Sequence, residues 1–364
     1  MRYKENWSET KQRFNAWWNG EKTDRPMLRI IARRKKPLEA LETVQPAINP
    51  KDRCLDVESI VKEFRNYCRT HIFMAEAFPN ADVNLGPGSM ATYLGSEPNF
   101  TWETVWYTEC IHDWDQWGGI SFNPDNYWWR LHQELISKAR LLSKDDFLVS
   151  IPDIVENIDI LAAMRGSEKL CYDLMDEPDL VKSCIDRIDG LYFKYYDALY
   201  NIVKLQDLSS CYTAFGIWGP GKTAKVQCDF SALISPSQFR EFILPSLQMQ
   251  CRQLDNSLYH LDGPEAIRHV DALMEIDELD ALQWSPGDGK PDGSGKEWYP
   301  LYERVRNAGK SLWIKLEDAP VEDLIKGAGD IVRAFGSRGL YFLFPVMEEE
   351  DAKRLIATAE DKWS

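Results

Sequence analysis

From residue 256 onward the chain repeats one pattern: a short β-rich run stops at Gly, Pro or a polar residue, and an amphipathic stretch follows. Asn256–Asp262 reads as a strand ending at Gly263-Pro264, and Glu265–Glu275 as a helix with Ile267, Val270, Leu273 and Met274 on one face. Leu279–Trp284 reads as the next strand, closed by Ser285-Pro286-Gly287, and Tyr299–Ala308 as a helix stopped by Gly309. Ser311–Glu317 is a further strand, Val321–Lys326 opens a helix, and Gly339–Phe344 is a strand before Pro345. Three strand–helix units within ~90 residues predict parallel strands joined by helical crossovers, in a barrel or an open sheet.

The first half is less regular. Met27–Ala32, Phe147–Ile151 and Cys211–Trp218 read as strands, with Ala81–Leu85 a weaker one. The total of about eight favours a closed (β/α)8 TIM barrel, class α/β, over an open sheet. No GxGxxG opens a helix after a strand, so the dinucleotide fingerprint is missing. Residues 1–24, with Trp7, Phe14, Trp17 and Trp18 at amphipathic spacing, read as a helical N-terminal extension, and 25–364 as the barrel. A length of 364 residues fits one such domain.

Hydrophobic residues make up 44% of the chain, enough for a large core. The net charge of −15 argues against partners that need a basic surface, whether nucleic acid or an anionic membrane. The basic run Arg33-Arg34-Lys35-Lys36 is short and reads as a solvated loop. No apolar run approaches the ~20 residues of a membrane span, and Met1–Trp7 lacks a signal-peptide core, so a cytoplasmic protein is expected. The eight cysteines are scattered without a CxxC pair, which disfavours disulfides and zinc ribbons. Trp17, Trp18, Trp102, Trp106, Trp114, Trp117, Trp128 and Trp129 crowd the first 130 residues, either as packing or as an aromatic wall over an organic ligand.

In a barrel the last residues of each strand and the first of the next loop face the site. Those positions hold Asp153, Glu156, Trp218, His260, Asp262, Gln283, Trp284, Glu317, Asp318, Met347 and Glu348. His260-Leu261-Asp262 is the sharpest element, because residues two apart on a strand share a face. A His and a carboxylate there suit a metal site, a proton-transfer pair or a structural hydrogen bond. Glu317, ending a later strand, is expected to converge on them, and Cys228-Asp229 can enter from a loop. His71, His112, His132 and His269 read as structural or solvated. Gly219-Pro220-Gly221-Lys222-Thr223 lacks Walker A spacing and reads as a turn.

From about residue 25 to the end, the chain resembles the uroporphyrinogen decarboxylase superfamily, which includes the cobamide-dependent methyltransferases. The resemblance rests on Asp24-Arg25-Pro26 before the first strand, Asp82-Val-Asn84 with Met90-Ala-Thr-Tyr-Leu-Gly95, and the block Ile154–Leu180. Phe230-Ser-Ala-Leu-Ile-Ser-Pro236 with Phe239–Pro245 and Tyr259-His-Leu-Asp-Gly263 complete it. It implies the barrel and a role for Asp82; substrate contacts are expected from Asp153, Asn157, Trp218, Gln283, Trp284 and Met347. Among the decarboxylases it also implies a homodimer. The Arg-rich substrate loop of the decarboxylases is not matched by Arg29-Ile-Ile-Ala-Arg33-Arg34. The methyltransferases hold zinc through a His, a Cys two residues on and a late Cys; here Asp262 and Met347 stand at the Cys positions. A His260, Asp262 and Glu317 set is then the expected ligand group for zinc or another divalent metal.

The leading expectation is a methyltransferase-type enzyme acting on a small organic substrate, with a corrinoid protein as methyl donor. Two others stand beside it. One is a decarboxylase or related lyase on a pyrrole-like substrate, using Asp82. The other is a non-catalytic barrel that binds a small ligand.

Overall fold

The computed structural model describes residues 1–115, 118–212 and 214–364. Trp117, and Thr213 within the expected strand Cys211–Trp218, lie outside them. In chain order the strands are β1 (Met27–Arg33), β2 (His71–Ala75), β3 (Asn80–Ala81), β4 (Pro98–Phe100), β5 (Val105–Tyr107), β6 (Leu148–Val149) and β7 (Ser210–Tyr212). Then follow β8 (Ile217–Gly219), β9 (Thr223–Gln227), β10 (Asn256–Asp262), β11 (Ala281–Ser285), β12 (Ser311–Lys315), β13 (Leu340–Leu343) and β14 (Met347–Glu348).

The fold is mixed α/β around an eight-stranded sheet of order β14-β1-β13-β12-β11-β10-β9, with β2 antiparallel on the other side of β1. Every neighbouring pair from β9 to β13, and β13 with β1, is parallel. One register row crosses the sheet through Gln227, His260, Gln283, Trp313, Tyr341 and Met27. Pleating puts these side chains on one face. The next row, with Leu261, Trp284, Ile314 and Phe342, faces the other way. There Trp284 packs on Trp298, and Phe342 on Trp363 of the C-terminal segment.

Strands β10, β12 and β13 lie where the sequence pattern puts them. Ala281–Ser285 and Tyr299–Asn307 match their expected elements within two residues. The structure departs from the pattern elsewhere, and the weaker strand expected at Ala81–Leu85 is only Asn80–Ala81. Cys211–Trp218 is not one strand but the antiparallel hairpin β7–β8, turned at Ala214–Gly216 with Gly216 at φ +56°. The stretch Glu265–Glu275 starts as a 3-10 coil over Pro264–His269 and becomes α-helical only at Val270–Met274. Strand β9 was not expected, because Lys225 and Gln227 break the apolar run at its inward positions.

The hairpin tip lies on the same face as the register row. Trp313 donates its indole N–H to the Phe215 carbonyl (3.0 Å), and the Tyr341 hydroxyl donates to the Gly216 carbonyl (3.0 Å). At the amino ends of the strands, α1 (Trp7–Trp18) seals the core. Trp17 Nε1 donates to the Gly339 carbonyl (3.2 Å), Ser311 Oγ to the Trp17 carbonyl (3.1 Å), and Trp18 Nε1 to the Trp218 carbonyl (2.8 Å). Phe14 packs between Phe78, Trp218 and Tyr341.

Two buried polar clusters hold the outer layers. Glu76, just after β2, takes both guanidinium N–H groups of Arg25 (2.8 and 2.9 Å) and the backbone N–H of Leu28 (2.7 Å). Both side chains are almost fully buried, at 1% and 4% exposure, so neither is compensated by water. On the helix Pro178–Val203, the Asp189 carboxyl is bonded to Ser246 and is otherwise enclosed by protein. Burial raises its pKa to about 7, with Ser246 pulling the other way.

Glu76→Ala should destabilise the protein by about 3–5 kcal/mol in denaturant unfolding, since it strands the buried Arg25 charge. A group whose pKa is raised on folding contributes stability that is complete below its unfolded pKa and is lost as pH rises through the folded value. Asp189→Asn should therefore gain stability relative to wild type between about pH 4 and pH 7. The gain, on the order of a few kcal/mol, should level off above that range and is checked by unfolding curves at several pH values.

Candidate metal and substrate site

The carboxyl ends of β9 and β10 bring the chemistry together. Gln227 and His260 are register partners, as are His260 and Gln283, so the three stand side by side. Lys225 and Asp262 lie two residues away along their strands and share that face. After β9 the chain turns into a 3-10 coil, Asp229–Leu233, which carries Asp229 over the strand end. Ligand atoms of Asp229, His260 and Asp262 all lie within 4.8 Å of one another.

The surroundings orient this group. The Gln283 side-chain oxygen accepts the Nδ1–H of His260, which leaves the Nε2 lone pair free. Burial, and then the Lys225 charge, hold the imidazole pKa below its ordinary value, favouring the neutral ligand form. Phe215, from the β7–β8 tip, lies 5.2 Å from the His260 ring. The Lys225 ammonium is buried and pairs with Asp153 (2.7 Å) and the Gln227 side-chain oxygen. Burial alone would lower its pKa, but the Asp153 and Glu156 carboxylates hold it above the ordinary value.

The segment from Asp153 to Asp159 lines the other side. Asp153 also accepts from the Tyr212 hydroxyl (2.8 Å). Glu156 is buried and takes the backbone N–H of Gln227 (2.6 Å) on one oxygen; burial drives its pKa well up. Asp159 accepts from the backbone N–H of Asp229 (2.8 Å) and Phe230 (2.9 Å) and from Gln227 Nε2 (3.0 Å). Burial and the neighbouring Asp229 charge raise Asp159 to about 6. Asp229 is itself raised by desolvation, with Lys225 opposing and Asp262 adding to the rise. Two non-glycine residues in this segment, Val155 (φ +54°) and Asn157 (φ +49°), hold left-handed backbone. A β-branched residue there is strained, which is tolerated where surrounding contacts fix the loop. Asn157 supplies one such contact, donating to the Gln227 carbonyl (2.9 Å).

Gln227, Asp159 and Asp229 open onto a cavity of about 570 Å³. Its far wall includes Trp106 and Tyr107 of β5, with Val155, Ile160 and Phe230 beside them.

Among the residues expected at the site, His260 and Asp262 come together, with Gln283 and Asp153 around them. Glu317 stays outside the group: it is exposed, ion-paired to Lys315 (2.8 Å), and its backbone N–H is held by Asp292 (2.9 Å). Asp229 takes the third place. Trp284 points to the opposite face from Gln283, as neighbours on a strand must. Trp218 is buried near α1, at the amino ends of the strands. Met347 is buried beside Ala32 on β14. Asn157 is buried and braces the loop against β9. Asp82 is exposed after β3 and accepts from Asn84. Of the early tryptophans, Trp17, Trp18, Trp128 and Trp129 are buried, whereas Trp106 lines the cavity. Lys225, Gln227 and Asp159 had no place in the sequence reading; the alternation of Ala224, Val226 and Cys228 is the signal that marks the strand of the first two, while Asp159 lies on the helix Asn157–Arg165.

No protein-family model and no curated protein matches the chain. Among solved structures, a methyltransferase from Methanosarcina mazei matches with a TM-score of 0.64 at 13% identity, covering 98% of this chain and 99% of that one. A B12-independent methionine synthase from Shewanella sp. W3-18-1 aligns more loosely, with a TM-score of 0.48 at 7% identity over 92% of this chain and 96% of that one. The chain therefore shares the fold of that methyltransferase over nearly its whole length.

Proposed function

We propose that the chain is a metal-dependent, methyltransferase-type enzyme acting on a small organic substrate. The observation that carries this is the Asp229, His260 and Asp262 group beside the cavity, on a fold shared with a methyltransferase. The residues fit a divalent ion. His260 is oriented by Gln283 and its lowered pKa favours the neutral form, and the carboxyl groups of Asp153, Glu156 and Asp229 face one ammonium, Lys225, with Asp262 and Asp159 close to Asp229. A divalent cation offsets that excess of negative charge. One nitrogen and two carboxylates make a harder donor set than thiolates, open to zinc and to other divalent metals. When bound, the metal supplies Lewis acidity that lowers the pKa of a substrate thiol or hydroxyl.

The chain's own groups do the rest. Gln283 holds the His260 tautomer. Lys225 fixes Asp153 and, through Gln227, the end of β9. Asp159, with a pKa near about 6, is a cavity group suited to take the proton that the substrate nucleophile releases. The nucleophile would then take the methyl group from the proposed donor, a corrinoid protein, whose cobalt–carbon bond breaks with its electron pair remaining on the donor.

The same reading takes the strands as a closed (β/α)8 barrel. Its support beyond β1 is a series of local pairings. Glu76 N–H bonds the Leu28 carbonyl (2.9 Å), β3 pairs β6 in parallel, Ile151 bridges Tyr212, and Thr223 N–H bonds Ser210 Oγ (3.3 Å).

Elemental analysis of the purified protein should find about one equivalent of a divalent metal, lost in His260→Ala and in Asp229→Ala. Metal-free wild type, together with no methyl transfer from methylcobalamin to a panel of thiols and amines, would overturn the proposal. Gln283→Leu should keep the fold by circular dichroism but weaken metal binding by about 10–100-fold in a chelator competition, because the ligand His260 loses its orienting partner.

A further inference from the structure

The cavity next to the Asp229, His260 and Asp262 group is lined on one sign of charge only. Among the described residues no lysine, arginine or histidine lines it; its charged residues are Glu109, Asp159 and Asp229. Its rings are Trp106, Tyr107 and Phe230. Trp106 is 65% exposed, so much of its indole surface has no protein neighbour. Glu109 lies against Gly166 (φ +91°), where a Cβ would meet its carboxylate and make the side chain shift. Among the described residues the cation ion-paired with Glu109 is Lys169 (2.6 Å), which is itself about half exposed and is not part of the lining.

This lining selects by charge. An anionic substrate, including a carboxylate-rich tetrapyrrole, finds no cation on the wall to meet it. A neutral apolar molecule packs against the rings but gains nothing from the carboxylates. A cation satisfies both, since aromatic faces attract ammonium groups and a desolvated cation beside carboxylates gains further. The chain's net charge of −15 draws cations toward the surface in the same sense.

We infer that the substrate of this site is an organic cation, an amine or quaternary ammonium compound whose charged group sits against Trp106, Tyr107 and Phe230 while its reacting end points toward Asp229 and His260. The inference rests on the proposed function for the identity of that reacting end, but the charge selection is independent of it.

The test is calorimetric titration of the full chain, metal-loaded and metal-stripped, with choline, with benzyltrimethylammonium and with the neutral choline isostere bearing a tert-butyl group in place of trimethylammonium. At least one cation should bind, and choline should bind about tenfold or more tightly than its neutral isostere. Trp106→Ala and Glu109→Gln should each weaken the bound cation by about fivefold or more, with unchanged melting curves as the check on folding. No binding of either cation up to concentrations on the order of 10 mM, or equal binding of choline and the isostere, overturns the inference. Metal-dependent methyl transfer without cation selectivity sinks this inference alone; cation selectivity without metal or methyl transfer sinks the proposed function alone.

Discussion

A buried ammonium must be paired, and the pairing of Lys225 organises the site. Lys225 sits on β9 with almost no exposure, and its partner Asp153 belongs to a segment distant in sequence. The ion pair therefore pins the strained loop Asp153–Asp159 to the sheet. Gln227 extends the tie, through the backbone N–H given to Glu156 and the carbonyl that receives Asn157. With the loop fixed, Asp159 is set against the backbone of Asp229 and Phe230, and Asp229 in turn is held over His260 and Asp262. Removing the ammonium would leave several carboxyl groups facing one another in a poorly solvated space, where mutual repulsion is expensive.

The electrostatics of the site follow from that arrangement. Lys225 favours the neutral imidazole at His260 and opposes the rise in the pKa of Asp229, both of which suit metal ligation. Glu156, Asp159 and Asp229 all move toward the protonated form, because burial outweighs the interactions that oppose it. Lys225 works against burial at Glu156 and Asp229, whereas Asp159, whose chief charged neighbour is Asp229, stays raised to about 6. Environment divides the roles, as it does wherever groups of one type take different parts in a reaction.

Much of this was legible in the sequence, and the remainder was hidden for identifiable reasons. Strands β10, β12 and β13 announce themselves through short apolar runs ended by Gly, Pro or polar residues. His260 and Asp262 follow from their spacing on such a strand. Strand β9 escaped because its inward positions are Lys225 and Gln227, so it lacks the apolar run of a core strand. Its loss concealed Asp229, which stands at its end. Glu317 was expected in that place because it too lies near a strand end; the structure shows that its backbone is turned by Asp292 and its side chain by Lys315. Trp284 and Gln283 were both assigned to the site, although pleating permits only one of two neighbours to face it.

The β7–β8 hairpin has a consequence for how such a site can change. Its tip, Phe215 and Gly216, lies over Trp313 and Tyr341 and touches the His260 ring, so part of the floor beneath the reacting groups is a turn and not a strand. Strand residues answer to two neighbours and a register; a turn answers mainly to its own length and its glycine. The surroundings of the His260 ring are therefore set in part by residues that carry none of the sheet's hydrogen bonds.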